Sequence, residues 1–165
     1  MKRGDILLIQ YRFDPVGWII RYFTHCKWNH VAWFTNDKEL IELKAVGKKK
    51  TSLSHYLNKY IYKCKAVRLK NIDNSKLEEA IVEAEKASFN YSYSSAIINY
   101  ILIKLKILRK FPRLSCSAFI AYFLLTKANF YFNGKPTYFV TPKDIENSNK
   151  VKDVSYELRH SDTHL

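Results

Sequence analysis

The chain has 165 residues, with 28 Lys and Arg against 15 Asp and Glu, a net charge of +13. That length suits one domain with a real core, and 47% apolar and 15% aromatic residues exclude a disordered chain. Four Gly and four Pro leave no stretch of linker composition, and the sequence holds no internal repeat or low-complexity segment.

The basic excess is spread along the chain. Residues 44–70 and 86–143 each carry nine Lys or Arg and no acid. Such a surface attracts phospholipid, cell-wall polymer or nucleic acid, or serves only to solubilise. Cys26, Cys64 and Cys116 make an odd number without Cys-x-x-Cys spacing. This argues against a disulfide framework or an all-cysteine zinc site and fits a reducing compartment. Met1-Lys2-Arg3 precedes an apolar run, 6–9, too short for a signal-peptide core. The longest apolar stretch, 96–103, is broken by Asn99, ended by Lys104, and too short to span a bilayer. A cytoplasmic location is therefore expected.

In chain order, residues 6–11 read as a buried strand opened by Gly4-Asp5. Asp14-Pro15 supplies an N-cap acid and a Pro at the first helical position, so a helix is expected to about His25, burying Val16, Ile19, Ile20 and Phe23. Residues 31–34 and 39–43 read as short strands around Thr35-Asn36-Asp37-Lys38, a hairpin turn by composition. Lys48-Lys49-Lys50 reads as a basic loop and 52–58 as one short helix. Residues 60–69 alternate, with Tyr60, Tyr62, Cys64 and Ala66 on one face and Lys63 and Lys65 on the other, which makes Cys64 a core residue. Ser75-Lys76-Leu77-Glu78 is a capping-box pattern for a helix to about Ala87. An apolar helix is expected after Tyr93 and another from Cys116. Thr141-Pro142-Lys143-Asp144 is a further capping box, and a polar tail follows from about 149. Strands early and helices in the middle predict a single α+β domain, 1–165, with a small antiparallel sheet packed against helices.

Cys116 is the residue with the most chemistry in its setting. In Pro112-Arg113-Leu114-Ser115-Cys116-Ser117-Ala118-Phe119 a turn runs into an apolar helix. Ser115 can cap that helix. Cys116 then takes the first helical position, where unpaired N–H groups and the helix dipole favour a thiolate, the nucleophile of a thiol hydrolase. A buried structural cysteine is the alternative.

Such a nucleophile needs a base. His160 and His164 lie in the expected tail and His55 on a basic surface helix, which leaves His25 and His30 around Lys27-Trp28-Asn29. His30 starts a strand. With Thr35-Asn36-Asp37 as a three-residue loop, Phe34 faces Lys38, Ala32 faces Leu40 and His30 faces Glu42. Opposed Cβ atoms lie roughly 5 Å apart on one face, so Glu42 can orient and charge the His30 ring as the third member of a triad. A two-residue turn would set His30 opposite Leu43 instead.

Five segments in one order carry a resemblance: Gly4-Asp5-Ile6-Leu7-Leu8, Asn29-His30-Val31-Ala32, Ile41-Glu42, Cys116-Ser117-Ala118-Phe119-Ile120-Ala121 and Val140-Thr141-Pro142-Lys143-Asp144-Ile145. Over residues 4–148 the chain resembles the circularly permuted NlpC/P60-like, papain-like amidases of the YiiX/YaeF type, with lecithin:retinol acyltransferase-like proteins as more distant relatives. The resemblance implies a circularly permuted papain-like (NlpC/P60) fold, with the His strand before the Cys helix. It puts the nucleophile at Cys116, the base at His30 and the acidic position at Glu42. Two departures bear on substrate preference. Ala118 stands where the family often has Glu, and Asn29 precedes His30 where the family usually has Ser.

The activity implied is amide or ester hydrolysis, or acyl transfer, through a thioester, with no cofactor and no metal. The acceptable partners are an amide- or ester-containing small molecule, a peptide such as a cell-wall fragment, or a lipid. The Cys116 N–H is the expected oxyanion donor, with the hydroxyl of Tyr91 or Tyr93 as a candidate second donor and plain packing as the alternative for both. Three rivals stand beside this reading. One is a non-enzymatic basic module on an anionic polymer or membrane, with the Lys- and Arg-bearing segment 96–111 in peripheral membrane contact. The second is nucleic-acid binding, disfavoured by the lack of any recognised motif. The third is a metal site of His25, Cys26, His30 and Cys116, whose spacing matches no standard pattern.

Overall fold

A computed structural model of the chain describes residues 1–14, 18, 21–22, 25–44, 47–88, 115–134, 137 and 140–160. Its strands are β1 (Ile6–Tyr11), β2 (His30–Phe34), β3 (Glu39–Lys44), β4 (Gly47–Ser52), β5 (Tyr62–Leu69) and β6 (Val151–Asp153). Its helices are α1 (Leu53–Tyr56), α2 (Asn74–Lys86), α3 (Cys116–Ala128), α4 (Pro142–Glu146) and α5 (Tyr156–His160). The six strands form one sheet in the order β4-β3-β2-β1-β5-β6, antiparallel throughout. The architecture is α+β, with helices on both faces of the sheet.

The central position of β1 explains its sequence. Ile6 to Ile9 is an unbroken apolar run because both faces of the strand are covered. Ile6 and Leu8 share a core with α2 and α3, through Ala80, Ile81, Phe119 and Leu124. Leu7 and Ile9 pack on the opposite side with Leu53 and Tyr56 of α1 and Leu158 of α5. Each such side chain contributes about 1.5–3 kcal/mol of burial. Gly4 makes the strand entry possible: its φ is +91°, and a Cβ there would meet Leu77 Cδ2 at 2.7 Å.

Four sequence expectations change. The β2–β3 hairpin pairs Phe34 with Leu40 and Trp33 with Ile41, offset by two residues from the expected register. The turn closes one residue later, with Thr35 N–H donating to the Glu39 carbonyl at 3.0 Å and Asn36 Oδ1 accepting from Lys38 and Glu39 N–H. Lys48-Lys49-Lys50 is not a loop but the middle of β4, an edge strand whose lysines discourage pairing with a second chain. The cap of α2 is Asp73 rather than Ser75: its carboxylate accepts from Ser75 N–H at 2.8 Å and Lys76 N–H at 3.3 Å, and outcompetes a neutral hydroxyl two residues on. The expected tail from 149 instead supplies β6, paired to β5, and α5, with Val154 and Leu158 buried. The helices expected after Asp14-Pro15 and after Tyr93 lie wholly or largely outside the described residues. Among the described residues no helix is long and apolar enough to cross a membrane.

Candidate active site

The site forms where the N-terminus of α3 reaches the start of β2. Ser115 is extended, with φ −77° and ψ 169°, and its hydroxyl accepts from Ala118 N–H at 3.2 Å, so the helix begins at Cys116. The helix cannot slide. Phe119, Ile120, Ala121 and Leu124 are buried, Asn129 ends it in the left-handed conformation, and the buried Ser117 hydroxyl donates to the Val140 carbonyl at 2.6 Å. The start of β2 is held equally firmly. Asn29 N–H donates to the Ile9 carbonyl at 3.1 Å, and Asn29 Oδ1 accepts from Tyr11 N–H at 3.0 Å.

These two fixed ends bring Cys116 against His30. The half-buried sulfur is hydrogen-bonded by the His30 ring and by the backbone N–H groups of Val31 and Ser117. His30 Nε2 donates to Glu42 Oε2 at 2.6 Å, which leaves Nδ1 as the ring nitrogen for the sulfur. The Tyr11 ring packs edge-on to the imidazole, with centroids 5.8 Å apart. Cys116, His30 and Glu42 thus stand in one hydrogen-bonded row.

The His30–Glu42 contact survives the register offset for a geometric reason. A shift of two residues keeps every side chain on its own face. Carried along the strands, the observed register opposes Ala32 to Glu42 and makes His30 its diagonal neighbour, still within reach of a long side chain.

Glu42 is buried yet fully engaged. Oε2 also accepts from Tyr56 OH at 2.5 Å, and Oε1 accepts from the Thr51 hydroxyl and from Lys44 Nζ at 3.0 Å. Burial opposes its charge, but the His30 hydrogen bond and charge, with the two hydroxyls, hold it down at about 2. Burial likewise opposes charge on His30, but the Cys116 sulfur and Glu42 outweigh it and push the ring up to about 9. For Cys116, burial favours the thiol, whereas the His30 charge and hydrogen bond and the Val31 and Ser117 N–H groups lower its pKa. The three shifts point one way, toward a thiolate, an imidazolium and a carboxylate.

Thr51, Tyr56, Lys44 and Asn29 are supports that the sequence reading missed. Tyr56 carried the only signal, a Tyr beside His55 on the expected short helix, but nothing in the sequence aimed its hydroxyl at Glu42. Thr51 was hidden because its strand read as a loop. Tyr91 and Tyr93 lie outside the described residues. His25 and Cys26 are not gathered with His30 and Cys116 into a metal-binding group, and the described residues hold no cluster of three or more His, Cys, Asp or Glu suited to one.

No protein-family model matches the chain, and no curated protein matches its sequence.

Proposed function

We propose that this protein is a cysteine-dependent hydrolase or acyltransferase of amides or esters, built on a circularly permuted papain-like fold of the NlpC/P60 type and acting through a thioester. One observation carries the reading: Cys116, His30 and Glu42 form a continuous hydrogen-bonded row in which the sulfur is biased to thiolate and the ring to imidazolium. The chain order His30, Glu42, Cys116 agrees with the permuted arrangement that the sequence resemblance implies.

The Cys116 thiolate attacks the carbonyl carbon of the substrate. A carbon–sulfur bond forms and the carbonyl π pair moves onto oxygen. The Cys116 N–H, at the first position of α3, has no acceptor within the helix and suits this oxyanion. Collapse of the intermediate breaks the bond to the amine or alcohol, which leaves with the proton of the His30 ring. The neutral ring then takes a proton from water, or from an acceptor amine or alcohol. The resulting nucleophile releases the acyl group and restores the thiolate and imidazolium. Glu42 stays ionised, keeps the ring oriented and stabilises its charge.

The test is intact-mass analysis after exposure to activated acyl esters and N-acyl amides. The expected result is a single acyl adduct on Cys116, removed by hydroxylamine and missing from Cys116→Ala. No adduct on the native protein, or an undiminished adduct on Cys116→Ala, contradicts the reading.

A further inference from the structure

Beside the candidate site the described residues include large aromatic side chains that are mostly exposed. The β1–β5 ladder continues past Tyr11 and Tyr62 through Arg12 N–H to the Ile61 carbonyl at 2.9 Å. This sets Phe13 and Tyr60 at the open end of the ribbon, 84% and 85% exposed. Arg21 Nη1 donates to the Tyr11 carbonyl at 2.8 Å, which ties Tyr22 to the same end. Trp18 N–H donates to the Asp14 carbonyl at 2.9 Å. Tyr22 and Trp18 are 75% and 68% exposed. Tyr60 belongs to the face expected to be buried, but the strand starts only at Tyr62.

The charges around these rings are mostly positive. Arg12, Lys59 and Lys63 are exposed beside them. Residues 58–65 contain no acid, and 11–22 contain only Asp14, within a chain of net charge +13. Rings that bury an apolar body and leave a polar tip wet, with cations beside them, make the composition of a bilayer interface. A single-stranded nucleic acid also stacks its bases on rings beside cations, so competition by an oligonucleotide separates the two occupants. A protein partner offers no equivalent reason for the positive excess.

We propose that this end of the β1–β5 ribbon docks on an anionic phospholipid surface, with Phe13, Trp18, Tyr22 and Tyr60 entering the headgroup boundary and Arg12, Lys59 and Lys63 meeting the phosphates. The surface adjoins the site, because Arg12 follows Tyr11, whose ring touches His30. Docking holds the Cys116 site near the membrane whether or not the acyl-transfer reading stands.

The molecule supplies its own reporter. Of its three tryptophans, Trp28 and Trp33 are buried and Trp18 is exposed. The experiment adds vesicles of phosphatidylcholine, alone or mixed with phosphatidylserine, to the full chain. It follows Trp18 emission and co-flotation, with Trp18→Phe as the spectral control. The expected result is a blue shift and flotation with the anionic vesicles only. Both should fall at least about tenfold in Phe13→Ser/Tyr60→Ser and again in Arg12→Gln/Lys59→Gln/Lys63→Gln, with selective Cys116 alkylation intact in both variants. The proposal is overturned if the native protein ignores anionic vesicles at low salt or if the serine variant floats as well as the native protein. It is equally overturned if an oligonucleotide displaces the vesicles, or if Trp18 emission shifts with protein concentration alone. Loss of Cys116 labelling with vesicle binding retained would sink the catalytic reading and leave this one standing.

Discussion

Cys64 and Cys116 are both half-buried thiols, and their surroundings drive them in opposite directions. Cys64 sits on β5, and its S–H donates to an acceptor, the Tyr56 carbonyl, at 3.5 Å. Burial pushes its pKa up to about 12. Among the described residues Cys116 meets donors, the His30 ring and the N–H groups of Val31 and Ser117, and its pKa falls despite burial. Burial by itself disfavours both thiolates, so the polarity of the neighbouring groups decides which cysteine favours the thiolate. Tyr56 takes part in both outcomes. Its carbonyl holds Cys64 as a thiol while its hydroxyl donates to Glu42 and so supports the charged row at Cys116.

Removing the cation beside Cys116 should erase the difference. In His30→Ala, Cys116 alkylation near pH 6.5 is expected to drop about a hundredfold, toward the thiolate fraction of an ordinary cysteine, while Cys64 stays as slow as before. Per-residue mass spectrometry measures both. An unchanged Cys116 rate would break the comparison.

Glu42→Gln keeps the shape and removes the charge. The His30 ring then falls back toward the ordinary imidazole value, and Cys116 labelling at neutral pH is expected to drop about tenfold. The same variant alters stability against pH. The Glu42 carboxylate lies below its ordinary value, so its contribution is present above pH 4.5 and is lost as pH falls toward about 2. His30 lies above its ordinary value, so its contribution is present below pH 6.5 and is lost as pH rises toward about 9. Thermal midpoints across pH should decline at both ends for the native protein, whereas Glu42→Gln should lose the acid-side decline and keep part of the alkaline one, because Cys116 still raises His30.

Tyr56→Phe removes one donor from Glu42 and leaves the carbonyl facing Cys64 in place. Denaturant unfolding should show a loss of about 1.5–3 kcal/mol, as for a hydrogen bond to a buried charged group. Cys116 labelling should slow only about threefold, because His30, Thr51 and Lys44 still hold the carboxylate. The smallest effect is expected from Ser115→Ala, about 1 kcal/mol of stability from the lost cap, with Cys116 still far more reactive than Cys64.

The sequence disclosed Cys116 well because a helix cap is local: Ser115 and the apolar run after it act within a few residues. The face shared by His30 and Glu42 was legible for a similar reason, since parity along a strand survives a shift of two. The pairing register was not legible. It depended on whether Asn36 or its neighbours closed the turn, and Asn36 Oδ1 decided it by accepting from Lys38 and Glu39. β4 and β6 were missed because an edge strand is permitted to look polar. The hydroxyls on Glu42 come from Thr51 and Tyr56, nine and fourteen residues away, and no local pattern announces a contact made across a sheet.

The most direct measurement is the pH dependence of alkylation at each cysteine of the native protein, followed residue by residue. The charged row predicts that Cys116 stays reactive at pH values below those at which an ordinary thiol ionises, while Cys64 reacts only as the solution becomes strongly alkaline. A Cys116 rate that falls about tenfold for each unit below pH 9 would show an ordinary thiol. That result would contradict the account.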